Sequence, residues 1–349
     1  MKSKVALDKI INKSRVHLYK PIQIAEILYH YRKGDKISLD DLESYRNISK
    51  RWRDEITKRL VGRVSTSSQK FQDNLFENNA MPPELLKELG GFNKRNGGVV
   101  ESYIYNRLQM RLAMVTSALE YIETTGVKKF DLNKFLSMFV DEPGLKRSID
   151  KVYEITVYAL FNTLVRALRV EINTSIKNPD KEMIGDFEKF LKLVLGFEKK
   201  KTSVTLPARL FRVGVTNAAD RGIDMWGNFG PAIQVKHISL SEDLAEDVVE
   251  SLTADKIILV CLDGEDEIIK KITSQLSFSG RIQGIITLHD LENWYKLCLS
   301  SKYKNKLGVS LLTDLIREFD FEFPVSTEIK QFLKERGYNK IKLVGEWRL

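Results

Sequence analysis

The chain is predicted to fold as an α/β protein with a mixed central sheet, preceded by a mainly helical region. Three observations carry this. The first 145 residues place apolar side chains at helical spacing between polar loops. After Lys201 the texture changes to short runs of β type joined by glycine-containing turns. From Ser239 onward, helical stretches alternate with apolar runs such as KIILVCL, Lys256–Leu262, which suit strands buried on both faces. A chain of 349 residues is long enough for two structural units.

Taken in order, PIQIAEILYHYRKG (Pro21–Gly34) opens on proline, carries Ile24, Ile27, Leu28 and Tyr31 on one stripe and stops at glycine. Leu39–Arg63 reads as a helix with a strongly basic second half, and Val100–Gly126 as a long helix ended by glycine. Val152–Leu168 is apolar almost all round, so burial on several sides is expected. Gly185–Phe197 aligns Phe187, Phe190, Leu191, Val194 and Leu195, an amphipathic helix that must pack on something.

Strands are then predicted over Thr205–Val213, Gly222–Trp226 and Ala232–Ile238. Ser239 and Glu242 form a capping box for a helix over Leu240–Leu252. The run Lys256–Leu262, a helix over Glu265–Leu276, a strand over Arg281–Leu288 and a helix over Leu291–Leu299 complete the pattern. The implied division is a helical region over 1–145, an α/β core over 146–300 and a basic C-terminal extension over 301–349, ending in a strand candidate, IKLV.

The composition is that of a water-soluble folded chain, 43% hydrophobic and 30% charged. The formal net charge of +9 points towards a polyanionic partner, nucleic acid being the usual one. Cys261 and Cys298 show neither disulfide nor zinc spacing and read as small core residues. The N-terminus lacks the apolar stretch of a signal peptide, and no run approaches the length of a membrane span. A cytoplasmic protein is expected.

The chemistry concentrates in DRGIDMWGNFGPAIQVKH, Asp220 to His237. Along its last strand Ile233, Val235 and His237 point one way, and Gln234 and Lys236 the other. Burying an amide and an ammonium without partners would cost several kcal/mol. The neighbouring strand offers Asp224 across a Gly-Asn-Phe-Gly turn. An aspartate, an amide oxygen and a lysine converging on one sheet edge suit magnesium, which takes hard oxygen ligands. Asp224 supplies charge, Gln234 a neutral oxygen, and the main-chain carbonyl of Val235 a third ligand. Lys236 is then placed to orient or deprotonate a water for attack on phosphorus. Taken singly, Asp224 reads as a turn residue and Gln234 and Lys236 as a solvent-facing edge; the combination on adjacent strands favours a site.

These residues resemble the PD-(D/E)XK nuclease motif. GID followed by QVK is similar to the variant in which glutamine replaces the second carboxylate, as in Mrr-type restriction nucleases. The resemblance implies that Asp224 is the motif aspartate, Gln234 stands at the (D/E) position and Lys236 is the motif lysine. Asp220 matches the first acid of the pattern. In such enzymes a glutamate on the helix before the sheet joins the site; Glu188 fits this, with Glu154 as the competing residue. KPIQIAEILYHYR, STSSQKFQDNLF and VYEITVYALFNTLV extend the similarity to the whole chain, which looks like a type II restriction endonuclease of the HaeII-like kind. That implies magnesium-dependent cleavage of double-stranded DNA, a homodimer reading a two-fold symmetric site, and a DNA methyltransferase protecting that site. Glutamine at the acidic position removes one negative charge, which leaves the full ligand set open among Glu188, Glu154 and Asp220.

For DNA contacts, the basic segments Arg46–Arg63, Lys199–Lys201 and Lys302–Lys306 suit phosphates. Arg63 with the loop residues Ser65, Thr66, Ser67, Ser68, Gln69 and Lys70 suits groove contacts. Rival readings are a methylation- or structure-dependent nuclease on the same core, or a DNA-binding protein without catalysis. A nucleotide-binding enzyme is disfavoured, because neither G-x-x-x-x-G-K-[ST] nor G-x-G-x-x-G occurs.

Overall fold

In the computed structural model, all residues are described except 66–74, 77–79, 143, 178–179, 200, 214–222, 242, 244, 246–247, 249–253, 266 and 270–281. The chain divides into two compact units. Among the described residues, one comprises Met1–Ile155 with Leu312–Leu349; the other comprises Thr156–Val213 and 223–311.

The first unit is helical. Its main helices are α1 (Lys2–Lys13), α2 (Tyr19–Lys33), α3 (Ile48–Val61), α4 (Pro83–Arg95), α5 (Val99–Lys129) and α6 (Leu132–Val140). The apolar stripe of α2 is buried as its periodicity requires, with Ile24, Ile27 and Leu28 at 0% exposure, and Gly34 ends the helix in the left-handed region. The predicted helix over Leu39–Arg63 is two pieces, Glu43–Arg46 and α3. In α5 the helical path is interrupted at Gly126, at φ 56° and ψ −171°, where the sequence placed the end of a helix.

The residues of the predicted C-terminal extension are grouped with the helical unit from Leu312 onward. The helices α9 (Val309–Glu322) and α10 (Glu328–Glu335) and the residues after them pack into this helical unit from Leu312 onward. Phe319 and Phe323 join Phe135 and Phe139 in an aromatic cluster. Arg59 on α3 donates to Glu328 at 2.8 Å and to Glu335 at 2.7 Å, and Trp347 stacks on Phe92. IKLV, 341–344, is irregular, not a strand.

Buried polar groups in this unit are bonded into hubs, as low dielectric requires. Glu101, fully buried, receives a bidentate pair from Arg32 at 2.9 and 2.7 Å, a bond from the Asn93 amide, and the Tyr338 hydroxyl at 2.6 Å. Arg111 donates to the carbonyls of Ile11, Ser14 and Arg15, closing the C-terminal end of α1.

His17 is buried between Tyr19 and Phe323, and its Nε2 meets no hydrogen-bond partner among the described groups. Burial first, then the charges of Arg63 and Arg15, lower its pKa from 6.5 to about 3. The folded chain therefore resists a protonation that the unfolded chain accepts. The neutral imidazole's contribution is complete above pH 6.5 and is lost as pH falls from there towards 3. At pH 5 the loss is about 2 kcal/mol. Urea midpoints at pH 7.5 and 5 are expected to fall less in His17→Phe than in the wild type; equal falls in both would show that His17 does not carry this acid sensitivity.

The second unit holds a five-stranded sheet in the order β3 (Leu210–Arg212), β4 (Met225–Gly227), β5 (Pro231–Val235), β6 (Lys256–Val260), β7 (Ile282–Ile286). The first two pairings are antiparallel and the last two parallel. This is the α/β class and mixed sheet expected. All five residues of β5 are buried, as suits the middle strand. Thr156 onward in α7 (Ile149–Leu168) packs on α8 (Leu288–Leu299), through Phe161 against Trp294 and Tyr295 donating to the Thr156 carbonyl at 2.9 Å. On one face Ile257, Leu259 and Cys261 pack against Leu240, Ala245 and Val248. Both cysteines are free and buried, and burial pushes the Cys261 thiol up to about 11.

Two expectations change here. The strand predicted over Thr205–Val213 is broken at Ala208–Arg209 into β2 (Ser203–Pro207) and β3, which lie in different sheets. Proline ends the first piece because it cannot continue a ladder as a donor. β2 pairs instead with β1 (Glu171–Ser175), a strand the sequence did not announce, in an antiparallel ribbon. The helix expected over Gly185–Phe197 is three short turns, Lys181–Asp186, Glu188–Phe190 and the wider turn Leu191–Leu195. Most of its apolar stripe is exposed. Among the described residues no helix is long and apolar enough to cross a membrane.

Candidate active site

The site residues are set by the turn between β4 and β5. Gly230 adopts φ 115°, where a side chain would be strained, and its N–H closes the turn on the Gly227 carbonyl at 3.0 Å. Asn228 fastens the turn to the break between β2 and β3: its side-chain oxygen accepts from the Arg209 amide at 2.8 Å and its side-chain amide donates to the Pro207 carbonyl at 3.1 Å. The register this fixes pairs Met225 with Ile233 and Trp226 with Ala232.

Asp224 lies one residue before β4 and is held by its backbone and its side chain. Its amide donates to the Ile233 carbonyl at 3.1 Å and its carbonyl accepts from Val213 at 2.8 Å. Its carboxylate oxygen Oδ2 accepts from the Val235 amide at 2.8 Å. The Asp224 carboxylate is thereby fixed at the main-chain amide between Gln234 and Lys236. The structure brings Asp224 and Val235 into contact, and Gln234 and Lys236 flank that contact on the chain.

Gln234 is 3% exposed, and its Oε1 has no hydrogen-bond partner among the described groups. A buried amide oxygen left unbonded costs about 1–3 kcal/mol, so it needs an explanation. A hard cation is one, because it takes amide and carboxylate oxygens as ligands. The donor set therefore fits a magnesium ion held by Asp224, Gln234 Oε1 and a main-chain carbonyl such as that of Val235. Lys236 continues the parallel ladder beyond β5, its amide donating to the Val260 carbonyl at 2.8 Å, and its side chain is half-buried. Alternation puts it on the face of Gln234, with His237 on the other.

Phe211 and Trp226 are opposed across β3 and β4 and stack with centroids 4.6 Å apart. Both are exposed. Opposed residues share a face, so this aromatic pair lies on the same face as Ala232 and Gln234. Beside it, between β3 and the C-terminal half of α7, opens a cleft of about 620 Å³ lined among others by Tyr158, Asn162, Arg166, Arg169 and Arg209. None of these residues stood out in the sequence. Trp226 was not singled out either, although its alternation with Asp224 along one strand is the signal that points to it.

The remaining predicted residues are distributed elsewhere. Glu188 is exposed on the short turns that interrupt the β1–β2 ribbon, outside the five-stranded sheet. Glu154 is buried, belongs to the helical unit and is ion-paired with Lys151 one turn away. Asp220 and Thr66, Ser67, Ser68, Gln69 and Lys70 lie outside the described residues; Ser65 is half-buried. Arg63 donates Nη1 to the carbonyls of Phe321 and Glu322, capping the end of α9. Arg53 is buried against Gln23 and Asp54 and Arg59 is bonded to Glu328 and Glu335, so much of the basic stretch Arg46–Arg63 is engaged within the protein. Among the described residues no three of His, Cys, Asp and Glu cluster as a metal site.

Residues 3–338 match the HaeII restriction endonuclease family. The chain belongs to that family. It is 49% identical to the type II restriction enzyme HaeII of Haemophilus aegyptius over 340 residues, covering 97% of both chains. It is also 49% identical to the type II restriction enzyme NgoBI of Neisseria gonorrhoeae, covering 97% of this chain and 96% of that one. No solved structure gives a significant match. As a member of the HaeII family the protein is a type II restriction enzyme, a site-specific deoxyribonuclease.

Proposed function

We propose that this HaeII-family enzyme hydrolyses phosphodiester bonds of double-stranded DNA at the edge of β4 and β5, on a PD-(D/E)XK core in which Gln234 stands at the position of the second carboxylate. The observation that supports this most directly is the Asp224 carboxylate bonded to the amide between Gln234 and Lys236, beside the unbonded buried oxygen of Gln234.

Asp224, Gln234 and the Val235 carbonyl would hold magnesium, which when bound polarises the phosphoryl group and offsets the developing negative charge. Lys236 holds the attacking water in line by hydrogen bonding and stabilises charge on the phosphoryl oxygens. The water oxygen bonds to phosphorus, one ester P–O bond breaks, and a proton passes to the leaving oxygen. Because Gln234 is neutral, a further carboxylate would be needed to complete the charge around the ion, and Asp220, Glu154 and Glu188 are the candidates the sequence offers. The Val235 amide's bond keeps Asp224 aimed at this point before substrate arrives, which is preorganisation of the kind that lowers barriers most.

The exposed Phe211–Trp226 pair and the cleft arginines Arg166, Arg169 and Arg209 would meet the DNA backbone, with the net charge of +9 drawing the duplex in. The helical unit would supply sequence recognition, including the predicted loop at Ser65. A homodimer would match the two-fold symmetry of a palindromic site, and a DNA methyltransferase of the same specificity would protect the host.

The test is incubation of the purified protein with unmodified phage DNA. Discrete fragments are expected with magnesium, and intact DNA with EDTA. Equal cutting in both would remove the divalent-ion mechanism, and no cutting under either condition would refute cleavage of unmodified DNA.

A further inference from the structure

The β1–β2 ribbon and the turns it carries form an arm whose apolar surface is mostly uncovered. Its own core is small: Ile184, Leu191 and Phe197, with Ile176 and Val204 packed against them. A two-stranded ribbon with so little core is marginal alone in water. Met183, Phe187, Phe190, Leu193, Val194 and Leu195 are each between 48% and 71% exposed. A run of large apolar side chains open to water is the mark of an interaction surface.

Two features select the occupant. The first is area. At roughly 200 Å² for each fully exposed side chain of this size, the six present about 700 Å², close to the roughly 800 Å² per partner of a standard interface. The second is charge. After Lys181, the acidic residues Glu182, Asp186 and Glu188 come first along 182–195 and the basic residues Lys189 and Lys192 follow. A two-fold axis across this segment sets the acidic start of one copy against the basic end of the other, with the apolar residues between them. An isologous contact needs a self-complementary patch of this kind.

We infer that the arm over Met183–Leu195 is the surface on which a second copy of this chain docks. The inference rests on the homodimer proposed above and names its contact. Docking covers the apolar stripe whose periodicity demanded a partner, and it gives the arm the core that its ribbon lacks. The active-site assignment is independent of it, because Asp224, Gln234 and Lys236 lie on the other sheet.

Sedimentation velocity of the full-length protein is expected to show a species of twice the chain mass of 40.2 kDa. Phe190→Glu with Leu193→Glu is expected to sediment as a monomer with an unchanged circular dichroism spectrum. Should that variant misfold, hydrogen exchange on the wild type gives the same answer: amides of 183–195 are expected to lose protection on dilution, in step with dissociation. A wild-type monomer, a dimer that survives both substitutions, or protection indifferent to dilution would overturn the inference. Lys236→Ala is expected to remain a dimer, so loss of association and loss of chemistry are read separately.

Discussion

Lys236→Ala is expected to lower the rate of DNA cleavage on the order of a thousandfold, about 4 kcal/mol in the barrier, while specific binding measured in EDTA stays near the wild-type value. The reasoning starts from position. The Lys236 amide is bonded to Val260, so the residue belongs to the rigid sheet, and its side chain shares the face of Gln234. On the proposed mechanism this half-buried side chain acts on charge that develops at the phosphoryl group, and such interactions are worth most where water is excluded. Deleting it removes transition-state stabilisation, not ground-state affinity, so kcat should fall and KM hold. Lys236→Arg is a sharper probe, because a planar guanidinium keeps the charge but not the geometry of an ammonium. Rates near wild type in Lys236→Ala would sink the assignment of this strand as the active site. A parallel collapse of binding would instead make Lys236 an anchor for DNA.

Much of this site was legible because short-range rules set it. Glycines around Asn228 and Phe229 announce the turn, and the turn fixes which residues of β4 and β5 oppose each other. Alternation then assigns faces, which is why Gln234 and Lys236 stand out on an otherwise apolar strand. The buried run Lys256–Val260 was equally plain, since a strand covered on both faces has few polar residues. What periodicity does not contain is what covers a face. Phe187, Phe190 and Val194 align as a helix would align them, yet the helix is broken and the stripe lies open. β1 was hidden for the opposite reason: Glu171–Ser175 is mostly exposed, so its pairing with β2 leaves no apolar alternation to read. The basic stretch before Arg63 suggested phosphate contacts because charge alone was visible. Its acceptors Glu328, Glu335 and the end of α9 lie some 260 residues later in the chain.

That long-range dependence makes Glu101 the position of largest expected effect on stability. Glu101→Ala is expected to destabilise the protein by about 3–5 kcal/mol, since removing one partner of a buried ion pair leaves the other uncompensated. Here four donor groups lose an acceptor together. Arg32 loses both its bonds, Asn93 and the Tyr338 hydroxyl lose theirs, and Asn93 also orients the amide of Val100 through its side-chain oxygen. These groups come from α2, the end of α4, the start of α5 and the residues after α10, so one carboxylate joins four parts of the helical unit. Burial already holds the Tyr338 hydroxyl well above the usual range for ionisation, so it remains a donor at every working pH and cannot relieve the loss by ionising. A fall of roughly 10 °C in Tm is expected, using 2–4 °C per kcal/mol for a unit of this size. The control is Glu346, whose pair with the N-terminal amine is partly exposed. Glu346→Ala should change stability by less than about 1 kcal/mol, as exposed pairs do. If the two variants melt together, the hub is not what holds the C-terminal residues to α5. If Glu101→Ala melts far below Glu346→Ala, the C-terminal segment is part of the fold through this carboxylate, and truncation before Tyr338 should reproduce much of the loss.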